Sequence, residues 1–140
     1  MSKSKAKIFS HLHNEVYCRL GVSPVHGIGV FAIRSIPKGV NPLKTWLDFR
    51  EIKFSPAEIK KLPSAVRREI EIFCYYDEES VHIPSIGMNS MNMAFYLNHS
   101  KTPSVKYLKN GKMLSLRAIQ TGEEIFLDYD EAFGEIHTFE

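Results

Sequence analysis

Three short stretches of this chain bring together residue types that could do chemistry. Asn98 and His99 stand side by side after the apolar run Met93-Ala94-Phe95-Tyr96-Leu97. Asp128-Tyr129 follows the apolar Ile125-Phe126-Leu127, and Gly27-Ile28-Gly29 precedes Val30-Phe31-Ala32-Ile33. An adjacent amide and imidazole can form a polar site or simply satisfy a turn. A tyrosine after an apolar strand can pack in a core or an interface. Two glycines can mark a turn, and they also let backbone approach a ligand closely. They are not a dinucleotide fingerprint, because Ala32 fills the third glycine position and a strand follows rather than a helix. No second histidine lies at ligand spacing from His99, and Cys18 and Cys74 are 56 positions apart, so no metal is expected. The cysteines read as two buried free thiols of a reducing compartment. None of the three stretches carries a function alone.

The elements around them are mostly short strands. Apolar runs predict strands over 16–20 and 30–33, separated by the glycine loop, with Pro37-Lys38-Gly39 as a turn and one or two more strands over 45–54. Ser55-Pro56-Ala57-Glu58 is a helix start, with Ser55 as cap, Pro56 in the first turn and Glu58 completing a capping box. A second helix over 64–73 places Val66, Ile70 and Phe73 on one face. Short strands are expected over 74–76 and 81–83. Asn110-Gly111 predicts a two-residue hairpin between 105–108 and 113–116. Thr121-Gly122 is a further turn, before a last strand over 125–127. Residues 1–14 read as an N-terminal arm or a first edge strand. Many short strands with one helical insertion make a mostly β, α+β domain.

The bulk properties restrict the class. With 140 residues, 44% hydrophobic and 24% charged, the chain has the size and composition of one globular domain. No apolar run approaches the roughly 18 residues of a membrane span. The basic start lacks a following apolar stretch, so a secretory signal is not expected and Asn98-His99-Ser100 is a chance glycosylation match. An intracellular location, cytoplasmic or nuclear (a host nucleus included), is the expectation. The net charge of +2 is unevenly placed. Residues 122–140 carry 7 Asp/Glu and no Lys or Arg, whereas 1–121 carry 18 Lys/Arg against 9 Asp/Glu. The acidic end could steer a Lys-rich peptide, or be a solvated tail. The basic residues lack the aromatic interleaving of a nucleic-acid platform, so no direct nucleic-acid partner and no membrane partner are expected.

Taken in order and together, the three stretches resemble the SET-domain family of protein methyltransferases, over about residues 15–133. Gly27-Ile28-Gly29-Val30-Phe31-Ala32 looks like the family's first motif. Asn92-Met93-Ala94-Phe95-Tyr96-Leu97-Asn98-His99-Ser100-Lys101-Thr102-Pro103 resembles its central motif, with Asn92, Ala94, Asn98, His99, Ser100 and Pro103 in register. Gly122-Glu123-Glu124-Ile125-Phe126-Leu127-Asp128-Tyr129, with Phe133 four residues on, resembles its closing motif.

The resemblance implies a β-clip-like fold in which a C-terminal pseudoknot makes one site from two distant motifs. It implies S-adenosylmethionine as cofactor, held by the backbone of Ile28, Gly29 and Val30 and by Asn98 and His99, with Phe133 against the adenine. Tyr129 would be the catalytic tyrosine at a narrow lysine channel. Tyr107, Leu127 and, from the insertion, Tyr76 would contact the substrate, a protein or peptide bearing lysine and of histone-like, basic character. The chemistry suits such a site. A lysine pKa near 10.4 leaves about one amine in 2,500 neutral at pH 7, a cost of about 4.6 kcal/mol. An apolar channel and a nearby sulfonium both depress that pKa, and a hydroxyl can orient the neutral amine for attack.

Some positions depart from the family pattern: Phe95 for arginine, Ser104 for a second asparagine, Asp130 for glycine and Val40 for an acidic residue. Phe95 and Ser104 motivate an alternative, an inactive SET-like domain that binds a lysine-bearing partner. Cysteine-rich flanking segments are absent, so residues 134–140, with Ile136 and Phe139, are expected to close the lysine channel, or a second subunit to do so in a homodimer.

Overall fold

A computed structural model describes residues 2–46 and 50–133, apart from the side chain of Phe133. In chain order the elements are helix α1 (Lys3–Asn14), strands β1 (Cys18–Val22), β2 (Ile28–Ala32) and β3 (Glu51–Phe54), and helices α2 (Pro56–Ile59) and α3 (Ser64–Phe73). Strand β4 (Val81–Pro84) and a 3-10 turn (Met93–Tyr96) follow, then strands β5 (Asn98–His99), β6 (Val105–Tyr107), β7 (Met113–Ser115) and β8 (Glu124–Leu127), and helix α4 (Tyr129–Phe133). Small strand-rich sheets with few helices make this the mostly β fold expected. The chain divides into two compact units, one formed by residues before 46 with those after 95, the other by Trp46–Phe95.

In the first unit the strand order is β1-β2-β8-β6-β7, with β5 also paired to β8. β1 and β2 form an antiparallel pair from Cys18↔Ala32 to Val22↔Ile28. β8 is the shared strand. It runs antiparallel to β2 at Val30↔Ile125, and parallel to β5 at Asn98↔Phe126 and His99↔Leu127. It also runs parallel to β6 at Val105↔Leu127. Parallel partners cannot be joined by a tight hairpin, so this pairing brings distant stretches of chain side by side. Ile125 and Leu127 are buried while Glu124 and Phe126 are only half-buried, the period of two that gives β8 a core face. Val30, Val105, Ile125, Ile36, Leu97 and Ile119 are essentially sealed from solvent. Each such aliphatic side chain contributes roughly 1.5–3 kcal/mol of burial energy.

The second unit has its own small core of Ile70, Cys74 and Val81, packed with Ile59, Ile83 and Met88. β3 and β4 pair antiparallel from Glu51↔Pro84 to Phe54↔Val81. The capping box is present: Glu58 N–H donates to Ser55 Oγ at 3.2 Å and Ser55 N–H to Glu58 Oε1 at 3.0 Å. Both cysteines are buried, and burial pushes the thiols up, to about 12 for Cys18 and about 11 for Cys74. Among the described residues no helix is long and apolar enough to cross a membrane.

Several local expectations change. Residues 3–14 are a helix, so of the two expectations for this stretch the edge strand is excluded. Ser2 Oγ accepts the Lys5 N–H at 3.2 Å as a cap, and no glycine or proline interrupts the segment. The Asn110-Gly111 hairpin is wider than two residues. Leu108 still pairs with Lys112 (N–H to O, 2.8 Å), and Gly111 alone takes positive φ, +81°. Lys109, Asn110 and Gly111 thus form a three-residue loop ending in a left-handed glycine. The first strand begins at Cys18, two residues later than expected. The strand expected over 74–76 is a single bridge, Tyr76↔Val81. The stretch 45–54 contributes β3 alone among its described residues, with 47–49 outside them. The tail 134–140, with its expected role in channel closure, also lies outside the described residues.

Candidate active site

Strand β5 places two polar side chains on opposite sides of one strand. Asn98 turns toward β2 and the loop before it; its Nδ2 donates to His26 O at 2.9 Å and to Glu124 Oε2 at 2.8 Å. His99 turns toward the C-terminal helix. Its Nδ1 accepts the backbone N–H of Tyr129 at 3.0 Å, and the two rings lie 5.3 Å apart at 56°. An Nδ1 that accepts leaves the proton of the neutral imidazole on Nε2. Asp128 Oδ1 lies 3.9 Å from the same nitrogen, but with Nδ1 accepting from Tyr129 this is no ion pair.

Tyr129 is held at both ends. Besides its N–H bond to His99, its hydroxyl donates to the carbonyl of Leu97, the residue before β5. The central and closing stretches of the sequence therefore meet within a few ångströms through one residue. Burial, and after it the neighbouring Tyr107, push the Tyr129 phenol up to about 12. It is a neutral hydroxyl at physiological pH, suited to orienting a group and unsuited to serving as a phenolate base. Its donated proton is committed to Leu97, so the oxygen's remaining lone pairs are what it can offer another donor.

Asp128 stands between β8 and α4. Its Oδ1 accepts from the backbone N–H groups of Asp130 (3.0 Å) and Glu131 (3.3 Å), a side-chain cap that turns the chain into the helix. Lys101, just past β5, reaches across to Asp128 Oδ1 at 3.5 Å and pairs closely with Asp130. His99, Asp128 and Asp130 bring three ligand-type atoms within 4.8 Å of one another, and the cation held among the two carboxylates is this ammonium. The bond to Asp130 raises the Lys101 pKa above the ordinary lysine range. Asp130, where the resemblance leads one to expect glycine, thus has a partner of its own. So does Ser104: fully buried, it accepts the Phe126 N–H on its hydroxyl at 3.2 Å, while its own N–H donates to Phe126 O at 3.1 Å. Val40 is likewise built in, bonded through its backbone to Ser115.

A groove of about 450 Å³ opens beside this cluster. β6 and the turn after it contribute Val105, Tyr107 and Lys109; the end of β8 and α4 contribute Leu127, Asp128 and Glu131. Tyr107 and Leu127, two residues assigned to substrate on resemblance, so line one cavity. Leu127 is buried and Tyr107 partly exposed. Tyr76 belongs to the second unit, where its backbone bridges Val81. Phe133 ends α4, and its side chain lies outside the described residues.

The three residues expected to hold cofactor through their backbone lie on β2. Ile28 is exposed, whereas Val30 is sealed between Leu20 and Ile125. Gly29 has ordinary extended φ, yet a Cβ there would run into the Glu124 carboxylate, with Cδ at 2.9 Å, and come within 3.2 Å of Asn98 Nδ2. Ser23, Glu124 and Lys101 were not foreseen. Ser23 and Glu124 bond across 101 positions of sequence, and nothing local marks that pairing.

The SET-domain family profile matches residues 27–130. No curated protein matches the chain in sequence. In structure it is similar to a provisionally assigned histone methyltransferase of Plasmodium falciparum, solved by crystallography. The identity is 16%, the TM-score 0.51, and the match covers 86% of this chain and 99% of that one, a likeness of fold. With the profile spanning well over half of the sequence, and the central and closing stretches meeting at Tyr129, the chain belongs to the SET-domain family.

Proposed function

We propose that the protein is an S-adenosylmethionine-dependent protein-lysine N-methyltransferase, with Tyr129 as its catalytic tyrosine. The observation that carries this reading is Tyr129 tied by its N–H to His99 and by its O–H to Leu97 O, with Tyr107 and Leu127 lining the groove alongside. The groove's mix of an aliphatic base, an aromatic ring and carboxylates suits a lysine: methylenes against Leu127, nitrogen toward polar groups.

The residues present fit the cofactor. The backbone carbonyls of His26 and Ile28 are held by Asn98, and His99 stands next in the chain. The backbone of Ile28, Gly29 and Val30, with Asn98, His99 and Phe133, would hold S-adenosylmethionine. When bound, it supplies an electrophilic methyl group on a sulfonium whose positive charge disfavours a protonated lysine nearby. The chain's own contribution is positional. Tyr129, its proton given to Leu97 O, accepts an N–H of the lysine and thereby aims the nitrogen lone pair. His99 fixes the start of α4 and with it the tyrosine.

A non-catalytic, lysine-binding reading rested on Phe95 and Ser104. Ser104 is bonded twice to Phe126 of β8, a structural role of its own that weakens that half of the support. Tyr129→Phe tests the catalytic assignment. It should bind S-adenosylmethionine as the wild type does and lose on the order of 10²-fold in kcat on a lysine peptide, the size of loss when one preorganised hydrogen-bonding group is removed from an active site. Wild-type turnover in that variant removes Tyr129 from the reaction.

A further inference from the structure

Glu124, within the closing stretch Gly122 to Tyr129, lies at the centre of a polar network separate from the bonds of Tyr129. Its carboxylate accepts from Ser23 Oγ–H, at 2.7 Å on Oε1 and 2.9 Å on Oε2, and from Asn98 Nδ2 at 2.8 Å on Oε2. Each donor is committed in turn to the loop that leads into β2. Ser23 Oγ accepts the N–H groups of Val25 (3.0 Å) and His26 (3.2 Å), and Ser23 N–H closes the loop on Gly27 O at 2.8 Å. Asn98 Nδ2 donates to His26 O, with Ile28 O further off at 3.4 Å. One carboxylate thus ties β8, β5 and both ends of the loop 23–29. Charged acceptors make the stronger hydrogen bonds of this kind.

Gly29 completes the arrangement. Its φ lies outside the left-handed region, so conformation does not demand glycine. A Cβ at 29 would instead sit in the carboxylate of Glu124 and against the amide of Asn98, and would push that carboxylate off its donors.

We propose that Glu124 is the positioning residue of the cofactor loop, and that Gly29 is glycine to admit its carboxylate rather than to admit a ligand. The assignment of cofactor to this loop rests on the function proposed above; the clamp itself does not. Asn98 then acts on the cofactor chiefly by holding His26 and Ile28 in place.

Two measurements on the full chain test this. In ligand-free protein, hydrogen exchange of the amides of 25–29 should speed up about tenfold or more in Glu124→Ala, the size expected for loss of a charged hydrogen-bond partner. The β6–β7 hairpin should keep its protection, which a general loss of stability would not allow. Glu124→Gln, nearly isosteric, keeps one acceptor oxygen but loses the charge and replaces the other oxygen with an NH2 group, and should show an intermediate, equally local effect. S-adenosylmethionine affinity by calorimetry should fall about tenfold in Glu124→Ala and in Gly29→Ala alone. In the double variant the Gly29→Ala penalty should largely vanish, because the colliding carboxylate has gone. A Gly29→Ala penalty undiminished beside Glu124→Ala would overturn the proposal, as would exchange at 25–29 unchanged in both Glu124 variants. If the wild type binds no S-adenosylmethionine, the functional reading fails while the exchange experiment still decides the clamp.

Discussion

The backbone N–H of Tyr129 donates to Nδ1 of His99 at 3.0 Å, joining residues 30 positions apart in sequence. The bond sets two things at once. It fixes the imidazole as the Nε2–H tautomer, and it anchors the first residue of α4 to β5. The tyrosine's hydroxyl then closes a second link to the same region through Leu97 O.

Removing the imidazole should therefore uncouple the two motifs. His99→Ala leaves the part-buried Tyr129 N–H without its acceptor, a cost of roughly 1–3 kcal/mol. His99→Asn can place its amide oxygen close to where Nδ1 stood and should recover a good part of that loss. Urea unfolding of the three proteins checks the ranking. Equal stability of the alanine and asparagine variants would mean that the bond to Tyr129 contributes little.

The raised phenol of Tyr129 makes a prediction about pH. Its pKa in the folded protein, about 12, lies above the ordinary tyrosine value, so the neutral form is favoured by folding. The associated stability is complete below about pH 10, the pKa of an unperturbed tyrosine, and is lost as pH rises from there through about 12. Between pH 7 and 10 the hydroxyl stays protonated. In that range kcat/KM on a lysine peptide should climb as the free lysine loses its proton, with no falling limb from Tyr129. A descending limb near pH 9 that disappears in Tyr129→Phe would show that the phenol ionises far lower.

The groove carries acidic groups on its α4 side and lysines on its β6 side. Glu131 is exposed there, and Asp128 is already offset by Lys101. Glu131→Lys should lower kcat/KM severalfold for a peptide whose target lysine has basic neighbours, and much less for one with acidic neighbours. Since exposed charges are screened over about 10 Å at 0.1 M salt, the difference should shrink as salt is raised. Identical peptide preference in wild type and variant at low salt would remove Glu131 from substrate selection.

Much of this molecule is written locally. The capping box at Ser55 and Glu58, the helix over 64–73 and the turn at Gly122 follow from side chains within a few positions of one another, because their bonds span only three or four residues. The same local rules misjudged 1–14, where the cap at Ser2 and the spacing of Ile8 and Leu12 were the readable signs of a helix. They also misjudged the turn at Asn110-Gly111, where one positive φ sufficed in place of two.

The residue types of the candidate site belonged to the sequence as well, since Gly27-Ile28-Gly29, Asn98-His99 and Asp128-Tyr129 stand in it in order. What joins them did not. Asn98 and Glu124, Ser23 and Glu124, Tyr129 and Leu97, and Lys101 and Asp130 are bonded across 26 to 101 positions. Those contacts arise because β8 runs parallel to β5 and β6 and antiparallel to the distant β2, and such pairings leave no tight turn in the sequence to announce them. By itself the sequence determined which chemical groups this protein possesses. Only the tertiary structure decided that a carboxylate holds the glycine loop, and that a histidine holds the tyrosine, because both depend on which distant strands lie side by side.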